Sequence, residues 1–201
     1  MRLSADSSHE FGDDVDQTLV SAIVRKDAAA FRELTDRHLV SIHRLAARML
    51  GDPNEAEEVT QDTFLKLWTH AARWRPTSGD TSVLPWLRTI AINACIDRLR
   101  RRRFELGGEI PDRPDETASA PEQIDQHRHG LVVSRALSRI SDRHRAAIIL
   151  TYYEELPNAS AASTMQMGLK AFESLLLRAR QALKAEILAC GIGPSDFKEV
   201  A

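Results

Sequence analysis

The stretch "DPNEAEEVTQDTFLKLWTHAA", residues 52–72, decides the fold. Asp52 is a capping side chain and Pro53 a proline suited to a first helical position, together a helix start. Behind them Ala56, Val59, Thr63 and Leu67 recur every three or four residues, the period of a helix and not of a strand. The same period runs upstream from Asp27, a second capping residue, through Phe31, Leu34, Ile42, Leu45 and Met49 to a stop at Gly51. Downstream, a loop over Arg73–Ser82 with Pro76 and Gly79 leads to a third helix predicted over 84–103. No alternating run of β-branched residues interrupts this pattern, so the expected class is all-α.

Past residue 104 the composition changes. Glu105–Gly130 holds Gly107, Gly108, Pro111, Pro114, Pro121 and Gly130, with seven acidic side chains against Arg113 and Arg128. Such a segment has little to bury and reads as a flexible acidic linker, with a helix able to begin from Pro121. Further on, Ser141 caps a helix through about Glu154, Pro157 opens a short one, and a last helix runs from Lys170 to Ala189. The expected organisation is a disordered tail over 1–14, a helical domain over 15–104, the linker over 105–130, a second helical domain over 131–190 and a tail over 191–201. There is no internal repeat.

The chain has 201 residues, room for one or two domains, and 43% hydrophobic residues suffice for their cores. Lys and Arg number 27 against 29 Asp and Glu, a net charge of −2, so any nucleic-acid surface must be a local concentration of arginine. Cys95 and Cys190 lie far apart without a CxxC spacing, which argues against a disulfide framework or a zinc module. No P-loop, GxSxG or HExxH occurs, so no catalytic residue, metal or cofactor is expected and the protein is read as a non-enzyme. His38 falls on the apolar stripe beside Leu34 and Ile42 and reads as a core histidine; Cys95 reads as a buried thiol. No apolar run reaches the roughly 18 residues of a membrane span and no export signal opens the chain, so the expected location is cytoplasmic.

Three surfaces stand out. On the second helix Glu58, Asp62 and Leu65 share a stripe with Gln61 beside them, opposite Val59, Thr63 and Leu67. That strip suits either a basic amphipathic partner or plain solvent. On the third helix Arg98 and Arg100–Arg103 crowd the C-terminal end, where cations favour the helix dipole. Upstream, Trp86, Thr89, Asn93, Asp97 and Arg100 line one stripe opposite Leu84, Leu87 and Ala91, which suits phosphate contacts and base stacking. Trp86 reads equally well as a core residue. The C-terminal segment has the outline of a helix-turn-helix: Phe172, Leu175, Leu176, Ala179 and Leu183 face inward. Its outer face carries Lys170, Ser174, Leu177, Arg178 and Gln181, with Glu173 at the margin.

Over about Val24–Arg103 and Val133–Ala185 the chain resembles bacterial RNA polymerase sigma factors of the extracytoplasmic-function class. The resemblance rests on "DAAAFRELTDRH", "DPNEAEEVTQDTFLKLW" and "LPWLRTIAINACIDRLRRRR", then "LSRISDRHRAAIILTYYEEL" and "LLLRARQAL". Each string is degenerate, but their order over most of the chain is specific. The resemblance implies two helical domains joined by a linker, the second a helix-turn-helix. It implies that Glu58, Gln61, Asp62 and Leu65 dock on core polymerase. It also implies that Arg75, Asp80, Trp86, Asn93, Arg98 and Arg100–Arg103 bind and open the −10 promoter element. Lys170, Glu173, Ser174, Leu177, Arg178 and Gln181 would read the −35 element, and an anti-sigma protein would hold the factor inactive. The chain departs from the family pattern at Gln166, where glycine is usual in the turn. It departs again in "PNASAAS", usually acidic, and at Glu173 and Leu175, usually a basic pair. The alternatives are a conventional helix-turn-helix regulator with an effector-sensing helical domain, or an RNA-binding adaptor. Neither makes use of the strip on the second helix.

Overall fold

Caps and left-handed corners divide this chain into its helices. The structure, a computed structural model, describes residues 7–76, 81–105 and 124–190, and every regular element among them is helical. The elements are α1 (Ser7–Val24), α2 (Ala28–Leu50), α3 (Pro53–His70), a 3₁₀ turn (Ala71–Arg73), α4 (Leu84–Glu105), α5 (Ile124–Arg139), α6 (Asp142–Ile148), α7 (Asn158–Thr164) and α8 (Leu169–Ala189). The expected all-α class is therefore the observed one.

Each capping side chain read from the sequence is bonded. Asp27 Oδ1 accepts from the Ala29 and Ala30 N–H groups at 2.8 and 3.2 Å. Asp52 Oδ1 accepts from Asn54 and Glu55 at 2.9 and 3.2 Å, and Ser141 Oγ accepts from His144 at 3.3 Å. Helix α2 stops where Gly51 turns left-handed at φ 65°. Three side-chain-bearing residues, Lys26, Glu155 and Gln166, also take that conformation, and two of them close helices. At Lys26 (φ 66°) the N–H groups of Asp27 and Lys26 return to Ala22 and Ile23, and at Gln166 (φ 53°) those of Met167 and Gln166 return to Ala162 and Ser163. Both pairs satisfy the last carbonyls of a helix in the Schellman pattern.

Three boundaries differ from the sequence reading. The backbone of Ser7–Asp14 belongs to α1, where a tail is expected, because it continues the helix whose Leu19, Val20 and Ile23 are buried. Helix α5 begins at Ile124, inside the stretch read as linker. The helix expected from Ser141 to Glu154 is regular only to Ile148 and then widens into a π-type turn over Ile149–Tyr153. That turn keeps Ile149 and Leu150 buried and leaves Tyr152 and Tyr153 exposed, each under a guanidinium, Arg180 at 5.4 Å and Arg48 at 4.9 Å. Residues 1–6, 77–80, 106–123 and 191–201, which hold most of the expected linker, the start of the expected N-terminal tail and all of the C-terminal one, lie outside the described residues.

The chain forms two units. Unit 1 takes residues up to Ala47 and Asp52–Cys95; its core joins Leu34, Ile42 and Leu45 of α2 to Val59 and Leu67 of α3 and Leu87 and Ala91 of α4. Helix α1 packs on α3 and on the 3₁₀ turn. Unit 2 takes Arg48–Gly51 and the chain from Ile96; α5, α6 and α7 all pack on α8, around a fully buried Phe172. Arg145, 5% exposed, is its polar centre: the guanidinium donates to the carbonyls of Leu137, Ser138 and Met49, each at 2.7 Å.

Candidate polymerase and promoter interfaces

In unit 1, the face of α3 opposite its core is as expected from periodicity. Glu58, Gln61 and Asp62 are exposed, Leu65 is 58% exposed, and Val59, Thr63 and Leu67 are buried. Beside this face lies a feature the sequence reading lacks, an apolar groove of about 890 Å³ between α2 and α3. Phe31, Leu39 and Val40 line it from α2, and Phe64, Leu65 and Trp68 from α3. Gln61 and Leu65 belong to both the strip and the groove, whereas Glu58 and Asp62 do not line it. One end is braced: Phe31 meets Trp68 edge-on at 5.1 Å, and Lys26 Nζ sits 4.9 Å above the Trp68 ring while donating to the Trp68 carbonyl at 2.9 Å. An apolar trough whose rim carries Arg44, Glu57 and Gln61, with exposed Glu58 and Asp62 on the adjoining strip, suits an amphipathic helix.

The start of α4 is tied to α1 and α2 by one carboxylate. Asp16 is 2% exposed, and its Oδ2 accepts from the Val83 N–H at 3.1 Å, the Ser82 hydroxyl at 3.3 Å and His38 Nε2 at 2.9 Å. Arg37 stands 4.0 Å from Oδ1. Burial would raise the Asp16 carboxyl, but the His38 hydrogen bond and charge, the Val83 N–H and Arg37 outweigh it and hold the group below its usual range. His38, read from its stripe as a core histidine with a satisfied nitrogen, is half-buried rather than buried, with its Nε2 bonded to Asp16. Further along α4, Leu87, Ala91 and Cys95 are buried, Asn93 and Asp97 are exposed, and Leu84 and Trp86 are half-buried. Arg75 is exposed and turns its guanidinium onto the carbonyls of Ala72 and Trp74, at 2.6 and 2.7 Å. Asp80 lies outside the described residues.

In unit 2 the C-terminal end of α4 exposes Arg100, Arg101 and Arg103, with Arg98 and Arg102 half-buried. Arg103 pairs with Asp142 at 2.7 Å, and Phe104 beyond it is 89% exposed. Helices α7 and α8 form the helix-turn-helix, with Gln166 in the turn. Phe172, Leu175, Leu176 and Ala179 of α8 are buried and Leu183 is half-buried. Lys170, Glu173, Ser174, Leu177, Arg178 and Gln181 are all exposed, Leu177 at 57%. Arg178 Nε donates to the Ser174 carbonyl at 3.2 Å, which holds the guanidinium along the helix. Burial and then the Arg178 charge push the His144 imidazole below its usual range. Among the described residues no group of His, Cys, Asp and Glu is arranged to hold a metal, and no helix is long and apolar enough to cross a membrane.

Fold and surfaces define a two-unit, all-helical protein with a C-terminal helix-turn-helix. Sigma-70 region 2 matches residues 34–105 and Sigma-70 region 4 matches residues 131–183. The ECF RNA polymerase sigma factor SigL of Mycobacterium tuberculosis is 31% identical over 176 residues, covering 86% of this chain and 97% of that protein. SigK of Mycolicibacterium vanbaalenii is 30% identical over 172 residues, covering 83% and 86%. Two solved structures share the fold. They are CnrH in complex with the cytosolic domain of CnrY (TM-score 0.59, 24% identity, 87% of this chain and 98% of that one) and RpoE in complex with the anti-sigma factor NepR from Bartonella quintana (TM-score 0.57, 22% identity, 78% and 96%). The chain belongs to the extracytoplasmic-function RNA polymerase sigma factors. It is a transcription initiation factor, whose partners are core RNA polymerase and promoter DNA.

Proposed function

We propose that the α3 strip and the adjoining groove anchor core polymerase, that α4 with Arg75 and Asp80 binds and opens the −10 element, and that α8 reads the −35 element. The observation that carries this reading is the coincidence of the strip with the groove. Gln61 and Leu65 edge an apolar trough that a monomeric protein gains nothing by leaving open. The exposed arginines at the end of α4 and the exposed outer face of α8 support the two DNA assignments. The likeness to RpoE, solved with the anti-sigma factor NepR, supports control by an anti-sigma protein. The work of a sigma factor involves no covalent chemistry of its own and takes place in the cytoplasm, beside polymerase and chromosome. The functional domains proposed are 15–104 and 131–190, with 105–130 between them as an acidic tether suited to a basic channel; by packing, Ser7–Asp14 continues α1, the chain from Ile96 belongs with unit 2 and α5 begins at Ile124.

Purified core polymerase provides the test. Run-off transcripts from a promoter library should appear only when the protein is added. Replacing Asp62 with Arg puts a cation against a basic partner, a clash of several kcal/mol. Core affinity should fall by at least about tenfold with thermal stability unchanged, because Asp62 is exposed. Undiminished affinity in Asp62→Arg would remove the anchor from α3.

A further inference from the structure

Helix α1 lies ahead of the region 2 match, yet it supplies a buried carboxylate on which the entry to α4 is built. The groups it gathers come from two places far apart in sequence: Arg37 and His38 on α2, Ser82 and Val83 before α4. Ser82 is itself a cap, its Oγ accepting from the Leu84 N–H at 3.2 Å. The Val83 N–H is a helix-start donor, and a negative charge there also meets the favourable end of the α4 dipole. Trp86 follows Val83 by three residues, less than one helical turn. Any change in how Val83 is held turns Trp86, and Asn93 behind it, relative to α2.

We propose that Asp16 is a positioning residue for promoter opening, holding the first turn of α4 in the orientation that presents its DNA-facing stripe. The proposal rests on the reading of α4 as the −10 element binder. Cores built of Leu34, Ile42, Leu45, Leu87 and Ala91 fold unit 1 by burial, which does not fix rotation about a helix axis to within the tolerance of base recognition. A buried carboxylate with directed bonds to a backbone N–H, a hydroxyl and an imidazole does fix it. With α4 preset, binding of the melted strand is not spent on ordering the protein. Asp16 reaches no DNA itself, being buried among these groups.

The experiment uses the full chain assembled with core polymerase and compares Asp16→Asn and Ser82→Ala with wild type. Core affinity and permanganate reactivity at −10 are measured together with amide exchange at Val83–Leu87. Asp16→Asn keeps the shape and loses the charge, so core affinity should stay within about twofold while opening falls about tenfold. Exchange should quicken at the start of α4 and not in α3. Ser82→Ala keeps the Val83 bond and should show the same split in milder form, which preserves a readout where Asp16→Asn folds poorly. Parallel loss of core affinity and opening in both variants would overturn the proposal, since Asp16 would then serve folding alone. Normal opening in both, with Trp86→Ala and Asn93→Ala defective, overturns it while leaving the −10 reading intact. Normal opening in all four overturns both.

Discussion

Gln166 occupies a left-handed turn conformation, φ 53°, that costs a residue with a Cβ about 1–2 kcal/mol. Its N–H still donates to the Ser163 carbonyl, so the geometry is native and only the side chain is disfavoured. Gln166→Gly should therefore stabilise the protein by about 0.5–1 kcal/mol, read from the urea midpoint at unchanged slope. The departure from the family pattern at this residue is thus a cost in strain, with the turn itself retained. Asp16 allows a second test at this scale. Its folded-state pKa is lowered, so its contribution to stability is complete above the ordinary carboxylate range near pH 4 and is lost as pH falls through the folded value below it. Acid titration of Asp16→Asn against wild type should show a stability gap that is constant near neutrality and closes in that acid window. A gap that widened with acid would mean the carboxyl is not held ionised. No reading of single residues finds Asp16, which sits in an acidic N-terminal stretch, because its partners Ser82 and Val83 are 66 and 67 positions away.

At the scale of elements, what was legible was what is local. Asp27, Asp52 and Ser141 mark helix starts by side-chain chemistry that acts within three residues, and all three caps are bonded. The α3 strip was legible because a helix face follows from spacing alone. The groove beside it was not, since its two walls meet only once α2 and α3 pack. The widening at Ile149–Tyr153 was hidden for a similar reason: burial of Ile149 and Leu150 decides it, and helical period does not. Helix α8 carries the element-scale prediction. Of its exposed cations Lys170, Arg178, Arg180 and Lys184, Lys170 and Arg178 lie on the proposed reading face, while Ser174 and Gln181 can reach base edges. On a randomised −35 library, Arg178→Ala should lower affinity evenly and reduce the salt slope by roughly 0.9, whereas Ser174→Ala should relax preference at one position. If neither substitution alters promoter use, α8 is not the reader.

For the whole molecule, Arg145 is the side chain with most to lose. It is buried and bonds three carbonyls, two at the end of α5 and one at the end of α2, all within unit 2. Arg145→Ala would leave acceptors unpaired in a water-excluded site and should cost about 3 kcal/mol or more in urea unfolding. Arg145→Lys should recover little, because an ammonium lacks the flat fork that spans diverging carbonyls. A loss under 1 kcal/mol would mean water reaches those carbonyls unaided.

Helix α1 bears on where this protein can be cut or extended. A fragment trimmed to the family boundary at residue 34 would retain the whole α3 strip and every side chain proposed to meet DNA, losing only Phe31 and Ala28 from the groove. It would nonetheless discard Asp16, Leu19, Val20 and Ile23, uncovering apolar surface and leaving His38 and the Val83 N–H without their acceptor. Such a piece would carry the contact residues on a scaffold stripped of its brace, prone to aggregate and blunt in activity. Shortened versions, affinity tags and fusion partners therefore belong ahead of α1, which travels with the DNA-reading helix as one heritable part.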